Sequence, residues 1–482
     1  MLFREKRKMK SDKSIPSAVT VLIIVIGGVI LFEWLGKSSV NDIEYRVPKE
    51  QKVDGLKNSV EEKATKPSDG KGKLYNGTGL PSEEKGSWLQ FRGSDQTNIV
   101  TMGRGIIPKH LSEPAKIIWR VKTGEGYAGP VVNNGRVYFI DYDRSKKEDS
   151  IRCLSFKDGA EIWKYNYPVK IKRNHGMTRT MPAVTDKYLV TMGPLGHLTC
   201  LDSVTGELLW KKDLVKEYGT KVPEWYAGQC PLIDGELAII APAGKEVLIT
   251  ALELRTGRAK WITKNPEGAY KMTHSSVAIL NFKGEKQYVY CASSGVVSVA
   301  AKDGKILWTD PSWRINIANV PTPVIVDNEK IFFTGGYDSG SKYLRLTKEN
   351  KKGYKLQEIF KVKASVFASQ QTTPVYYKGY FYGVIPDGQL VCVDETGKQL
   401  WKSGSDRKFG LGPFILVDPA GVILALNDMT GIIYEVKADP LKYEELGSMK
   451  ILNGHEAWAP LVIVNGKLLA KDLTEMVCVD LR

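Results

Sequence analysis

The chain has 482 residues, of which 42% are hydrophobic, 10% aromatic and 26% charged, a globular composition that excludes a disordered or collagen-like chain. Its 69 Lys/Arg against 54 Asp/Glu leave a net charge of +15, which favours anionic partners. The basic residues are scattered and form no stripe, so a solvated surface accounts for most of that charge and no nucleic-acid partner is expected.

In chain order, residues 1–17 form a basic tail with Arg4, Lys6, Arg7, Lys8, Lys10 and Lys13. Ala18 to Leu35 (AVTVLIIVIGGVILFEWL) is apolar except for Thr20 and Glu33, long enough for a helix across a bilayer core of about 30 Å. The run is longer than a cleaved signal's core, and no small-residue cleavage site follows it. Residues 18–35 therefore read as an uncleaved transmembrane signal anchor. The preceding positive charges keep residues 1–17 cytoplasmic and put the rest in the periplasm or at the cell exterior. Residues 36–87, rich in Lys, Glu, Ser, Gly and Asp, read as a flexible linker with a root-mean-square span of roughly 40 Å.

From residue 88 onward the sequence repeats. Five segments share the spacing Gly-x-x-x-Trp: Gly159 to Trp163, Gly206 to Trp210, Gly257 to Trp261, Gly304 to Trp308 and Gly397 to Trp401. Each glycine ends a polar turn (FKDG, SVTG, LRTG, AKDG, DETG) and gives it a positive φ, and the next strand carries the Trp. Between these anchors, a Pro or small residue opens an alternating strand, as in MPAVTDKYLVTM, TPVYYKGYFYGV and APLVIVNGKLLA. A period of roughly 40–50 residues, with four short strands in each unit, predicts propeller blades. Phe360 and Leu446 stand as degenerate anchors, and AKIIWRVKTG with Trp119 precedes the first complete repeat. The reading is an all-β, eight-bladed β-propeller of four-stranded antiparallel blades over 88–482. The strand near Trp119 pairs with the C-terminal repeat to close the ring, which removes two exposed edges.

In such a ring, the segments just before the innermost strands converge on the central funnel, the default place for a pocket. Those segments put Tyr127, Arg173, His175, Arg179, Trp225, Gln229, His274, Arg314, Asn316, Asn319, Gln370, Gln371, His455, Glu456 and Trp458 there as candidate ligand-binding residues. Cys153, Cys200, Cys392 and Cys478 sit in apolar strand patterns (RCLSF, TCLDS, VCVDE, VCVDL) and read as small buried hydrophobes. No pairing of the six cysteines follows from their spacing. No H-E-x-x-H, G-x-S-x-G or P-loop occurs, and the five histidines have no metal-ligand spacing, so neither a catalytic residue nor a metal ligand is assigned.

The D/T-G-x-x-x-W turns resemble the tryptophan-docking motif of pyrroloquinoline quinone (PQQ) repeats. WLQFRGSD at Trp88 to Asp95 resembles the opening segment of bacterial quinoprotein-like propellers. The resemblance covers about residues 88–482 and implies that Trp163, Trp210, Trp261, Trp308 and Trp401 are structural, packing between blades. It also raises a PQQ-dependent alcohol or sugar dehydrogenase as the alternative function, with the quinone held by Ca²⁺ and an Asp as base. Calcium asks for several oxygen ligands, and the funnel segments offer Glu224 and Glu456, with Asp406 as a further candidate, and no clustered Asp. The adjacent-cysteine ring of the methanol-oxidising branch is missing. The leading expectation is a non-catalytic binding scaffold that needs no cofactor. It is held in the cytoplasmic membrane by its N-terminal helix and recognises a ligand or an envelope protein or polymer, the latter anionic if charge guides it. The propeller lipoprotein of outer-membrane protein assembly resembles this fold.

Overall fold

The computed structural model describes residues 72–101, 110–315, 317–349 and 353–482. The basic tail, the expected membrane segment and most of the expected linker lie outside the described residues. Among those described, no helix is long and apolar enough to cross a membrane.

Eight antiparallel meanders radiate from one axis. From blade 1 to blade 8 the innermost strands are Val131–Asn133, Ala183–Val184, Leu232–Asp234, Ala278–Phe282, Val324–Val326, Val375–Tyr377, Phe414–Asp418 and Val462–Val464. Blade 8 draws its three inner strands from the C-terminus and its outer strand, Ile117–Lys122, from the N-terminal side. Trp119 stands opposite Cys478 there. The second and third strands of each blade are buried on both faces by neighbouring blades, so they read as continuous apolar runs. Val247–Glu253 and Gly295–Ala300 are examples. Outer strands alternate with solvent, as in Gly353–Val362.

The Gly-x-x-x-Trp spacing becomes a girdle between blades. Trp119, Trp210, Trp261 and Trp401 each donate the indole N–H to a carbonyl of the next blade: Phe156 (3.2 Å), Leu254 (2.7 Å), Ala301 (3.0 Å) and Asp439 (2.7 Å). Trp308 departs from the pattern and donates to Gln287 Oε1 of its own blade at 2.9 Å. The turn glycine is required twice over. Gly206 has φ +77°, and a Cβ there would lie 2.6 Å from the Trp163 ring, so no other residue fits without displacing the indole. Near the axis a second ring of hydrogen bonds links successive blades. The amides of Met181, Cys230, Ser276 and Thr322 donate in turn to Cys230 Sγ (3.2 Å), Ser276 Oγ (3.0 Å), Thr322 Oγ1 (3.1 Å) and Thr373 Oγ1 (3.0 Å). All six cysteines are buried and free, and burial pushes the Cys230 thiol up to about 11.

The linker expected to run to residue 87 ends earlier. Lys73–Asn76 adds a fifth, outer strand to blade 1, antiparallel to Glu161–Pro168. The composition of this stretch is polar, but an outer edge strand faces solvent and needs little apolar surface. Residues 77–87 then follow blades 1 and 8 inward. The Ser82 amide donates to Gly135 O, and Lys467 pairs with Glu84.

Candidate functional site

The innermost strands of a propeller have one unpaired edge each, facing the axis, and buried backbone groups need partners. Residues 88–101 supply them. Trp88 exchanges backbone bonds with Val132 of blade 1 (2.8 and 2.9 Å), and Leu89 O accepts from Val184 N of blade 2 (2.8 Å). Gln90 Oε1 accepts from Ile233 N of blade 3 (3.1 Å). Gln96 acts as a surrogate strand residue against blade 4: its Nε2 donates to Val277 O and its Oε1 accepts from Ile279 N, both 2.9 Å. Asn98 Nδ2 donates to Phe414 O (2.7 Å), and Ile99–Thr101 runs parallel to Leu416–Asp418 of blade 7. With Arg92 reaching Thr373 O before blade 6 (3.1 Å), this one segment grips six of the eight blades and stops the channel.

Above it lies a cavity of about 350 Å³ lined by all eight pre-strand segments. Of the residues expected there, Tyr127, His175, Arg179, Trp225, His274, Gln370, Gln371 and Trp458 line it. Glu456 stands behind the wall and accepts the Tyr127 hydroxyl at 2.6 Å. Gln229 is fully buried and closes a two-bond ring with the Ala241 backbone, while Asn319 is buried beside blade 4, its backbone carbonyl accepting from His274 N. Arg173 pairs with Glu125 at 2.6 Å, Arg314 donates to Pro311 O, and His455 is exposed; none of the three lines the cavity. Asn316 lies outside the described residues. The floor residues Phe91, Arg92 and Asn98 were not expected in the site. They stand ahead of the first repeat, in a stretch that the sequence marks by the resemblance of WLQFRGSD to an opening segment and by a dense run of Gln, Arg and Asn.

One wall is a stack crossing three blades. The Arg179 guanidinium lies 5.1 Å from the Tyr127 ring centroid, and Tyr127 lies 4.5 Å from Trp458. Trp458 Nε1 donates to Asp428 Oδ2 at 2.9 Å. Burial, the Glu456 bond and its charge raise the Tyr127 hydroxyl well above its ordinary value. Burial and the nearby Arg179 charge pull His274 down to about 4, so it is neutral at physiological pH. Arg92, 3% exposed, donates through Nε, Nη1 and Nη2 to the carbonyls of Gln96, Thr373 and Thr97. Burial brings it down to about 9, still charged; burial likewise lowers Arg179.

No Asp or Glu lines this cavity, and among the described residues no three His, Cys, Asp or Glu converge as a metal site. A quinone held through Ca²⁺ needs carboxylate oxygens at the metal, so these side chains do not fit that group. Chemically, the lining offers two guanidinium groups, neutral imidazole and amide groups, and an aromatic wall: means to hold and orient a ligand, without a placed general base.

Residues 147–370 match the model of a PQQ-repeat family described as outer membrane protein assembly factor BamB. No curated protein sequence matches the chain. Among solved structures, the chain is similar to BamB from Moraxella catarrhalis: 14% identity over 78% of this chain and 100% of that one, TM-score 0.50. It is similar to a europium-containing methanol dehydrogenase, with 14% identity, 82% and 90% coverage, and TM-score 0.57. A quinohemoprotein alcohol dehydrogenase from Comamonas testosteroni matches at 12% identity, 82% and 80% coverage, and TM-score 0.54. At such identities the likeness is one of fold. The described chain is an eight-bladed β-propeller with PQQ-type repeats, and its fold is shared by BamB and by quinoprotein alcohol dehydrogenases.

Proposed function

We propose that this protein is a non-catalytic binding propeller, held outside the cytoplasmic membrane by its N-terminal segment, that takes a ligand or an envelope partner at the funnel. The observation that carries this reading is the cavity itself. It is floored by Phe91, Arg92 and Asn98, lined by loops from every blade, and has cationic, amide and aromatic groups but no carboxylate. The PQQ-repeat match described as BamB supports a scaffold role. The alternative, a quinone-dependent dehydrogenase, has the fold in its favour and the missing carboxylates against it.

The test is site-specific photocrosslinking in the native envelope. One probe replaces Ile317, which is 58% exposed and adjoins the cavity-lining Ala318. The other replaces Lys283, in the turn between the two innermost strands of blade 4. Adducts at 317 and none at 283 are expected. Adducts only at 283 would show that the funnel is not the recognition face.

A further inference from the structure

The cavity carries a charge imbalance that its own residues do not resolve. Arg92 and Arg179 both line it, and among the described residues neither makes an ion pair. Asp95 and Glu456 act on Arg92 and Arg179 only through space, and the carboxylates nearby take their hydrogen bonds from other groups. Glu456 accepts from Tyr127, Asp428 accepts from Trp458 Nε1 and Leu411 N, and Asp95 accepts from the Thr97 amide and hydroxyl. Placing a cation out of water without a counter-charge is costly, and such charges are normally paired. Here two share one small cavity.

The donors are also incompletely used. A guanidinium has five N–H groups. Arg92 places three on carbonyls, which fix its plane and leave two N–H groups over. Arg179 donates from Nη2 to Asn174 O at 3.2 Å, while its buried Nε has no partner. The forked geometry of a guanidinium matches a carboxylate or phosphate group. Beside these donors, Tyr127, Trp225 and Trp458 present aromatic surface, and the volume falls at the lower end of the range for small-molecule sites.

We propose that the funnel is a metal-free site for a small organic anion, its acid groups taken by Arg92 and Arg179 and its flat body laid against Tyr127, Trp225 and Trp458. This rests on the reading of the funnel as a binding site and names the ligand class. Because residues 88–101 close the base, the ligand enters and leaves by the funnel mouth alone.

The test uses the full-length chain and two flat probes of one shape: benzene-1,3,5-tricarboxylate and the neutral benzene-1,3,5-tricarboxamide. Binding is followed by calorimetry and by Trp fluorescence, in EDTA to exclude metal. The tricarboxylate is expected to bind at least ten-fold more tightly than the triamide. Arg179→Gln should remove most of that preference, and Arg179→Lys should restore part of it, each with a melting temperature no lower than that of the wild type. Equal binding of both probes, or a tricarboxylate affinity indifferent to Arg179→Gln, would overturn the anion assignment while leaving a binding funnel. If neither probe binds, the anion assignment also fails. The photocrosslinking at Ile317 then decides the broader reading separately: adducts there keep the funnel as a recognition face, and their absence removes both.

Discussion

Replacing Gln96 by Ala probes the channel stopper at one side chain. Gln96 holds the free inner edge of blade 4 through two bonds of 2.9 Å, from Nε2 to Val277 O and from Ile279 N to Oε1. A net hydrogen bond contributes about 0.5–1.5 kcal/mol, more when its loss leaves a desolvated partner. Loss of both should therefore cost about 2 kcal/mol locally. The Ile279 amide faces the axis and takes Gln96 Oε1 as its acceptor. Its hydrogen exchange therefore reports this contact with little contribution from global unfolding. At 1.4 kcal/mol per factor of ten, Gln96→Ala should speed exchange at Ile279 about 30-fold. The Val190 amide region, inside blade 2 and away from this contact, should be unchanged. Gln96→Glu keeps an acceptor for Ile279 N but sets an oxygen against Val277 O, so it should protect Ile279 only in part. An Ile279 amide that exchanges freely in the wild type, or equally in wild type and Gln96→Ala, would refute the stopper.

Two further predictions concern packing and charge. In a double-mutant cycle, Gly206→Ala should cost about 2–3 kcal/mol in the wild type, through its positive φ and the clash with Trp163. In a Trp163→Ala background, itself down by about 3–5 kcal/mol, only the φ part of about 1 kcal/mol should remain. Additive costs in denaturant unfolding would mean that the ring does not set the glycine. Asp149 is fully buried, and burial raises it from 3.8 to about 7 despite Tyr167 and Lys211 nearby. Between pH 4 and 7 the folded state therefore holds a proton that the unfolded state has lost, so this group's contribution to stability falls as pH rises. His197 and His274, both lowered to about 4, act in the opposite sense from pH 4 to 6.5. Asp149→Asn isolates the first effect: it should raise the melting temperature at pH 8 and change it little at pH 4, and equal shifts at both pH values would contradict it.

The blade count was legible because the girdle imposes one rule on five of the eight repeats, which sets the period for the rest. Only glycine fits the turn against an indole at Gly159, Gly206, Gly257 and Gly304, and against the Phe360 ring at Gly397, so each keeps register with the Trp that follows. The funnel was legible by position, since the segment before each innermost strand must turn at the axis. Side-chain direction was not. Gln229 closes on Ala241 and Arg173 pairs with Glu125, choices made by partners remote in sequence. The stopper was hidden for the same reason. Gln90, Gln96 and Asn98 look like loop residues until the unpaired strand edges they satisfy are assembled around them. Lys73–Asn76 escaped notice because an outer edge strand can be as polar as a linker.

The most direct test of a metal-free binding funnel is a titration of the full-length chain with pyrroloquinoline quinone, with Ca²⁺ and with EDTA. Melting temperature, quinone absorbance and alcohol-dependent reduction of a dye are followed together. The structure predicts that any binding of this tricarboxylate is indifferent to Ca²⁺, is lost in Arg179→Gln and leaves the dye oxidised. Saturable, Ca²⁺-dependent binding accompanied by dye reduction would contradict it and establish a quinone-dependent dehydrogenase.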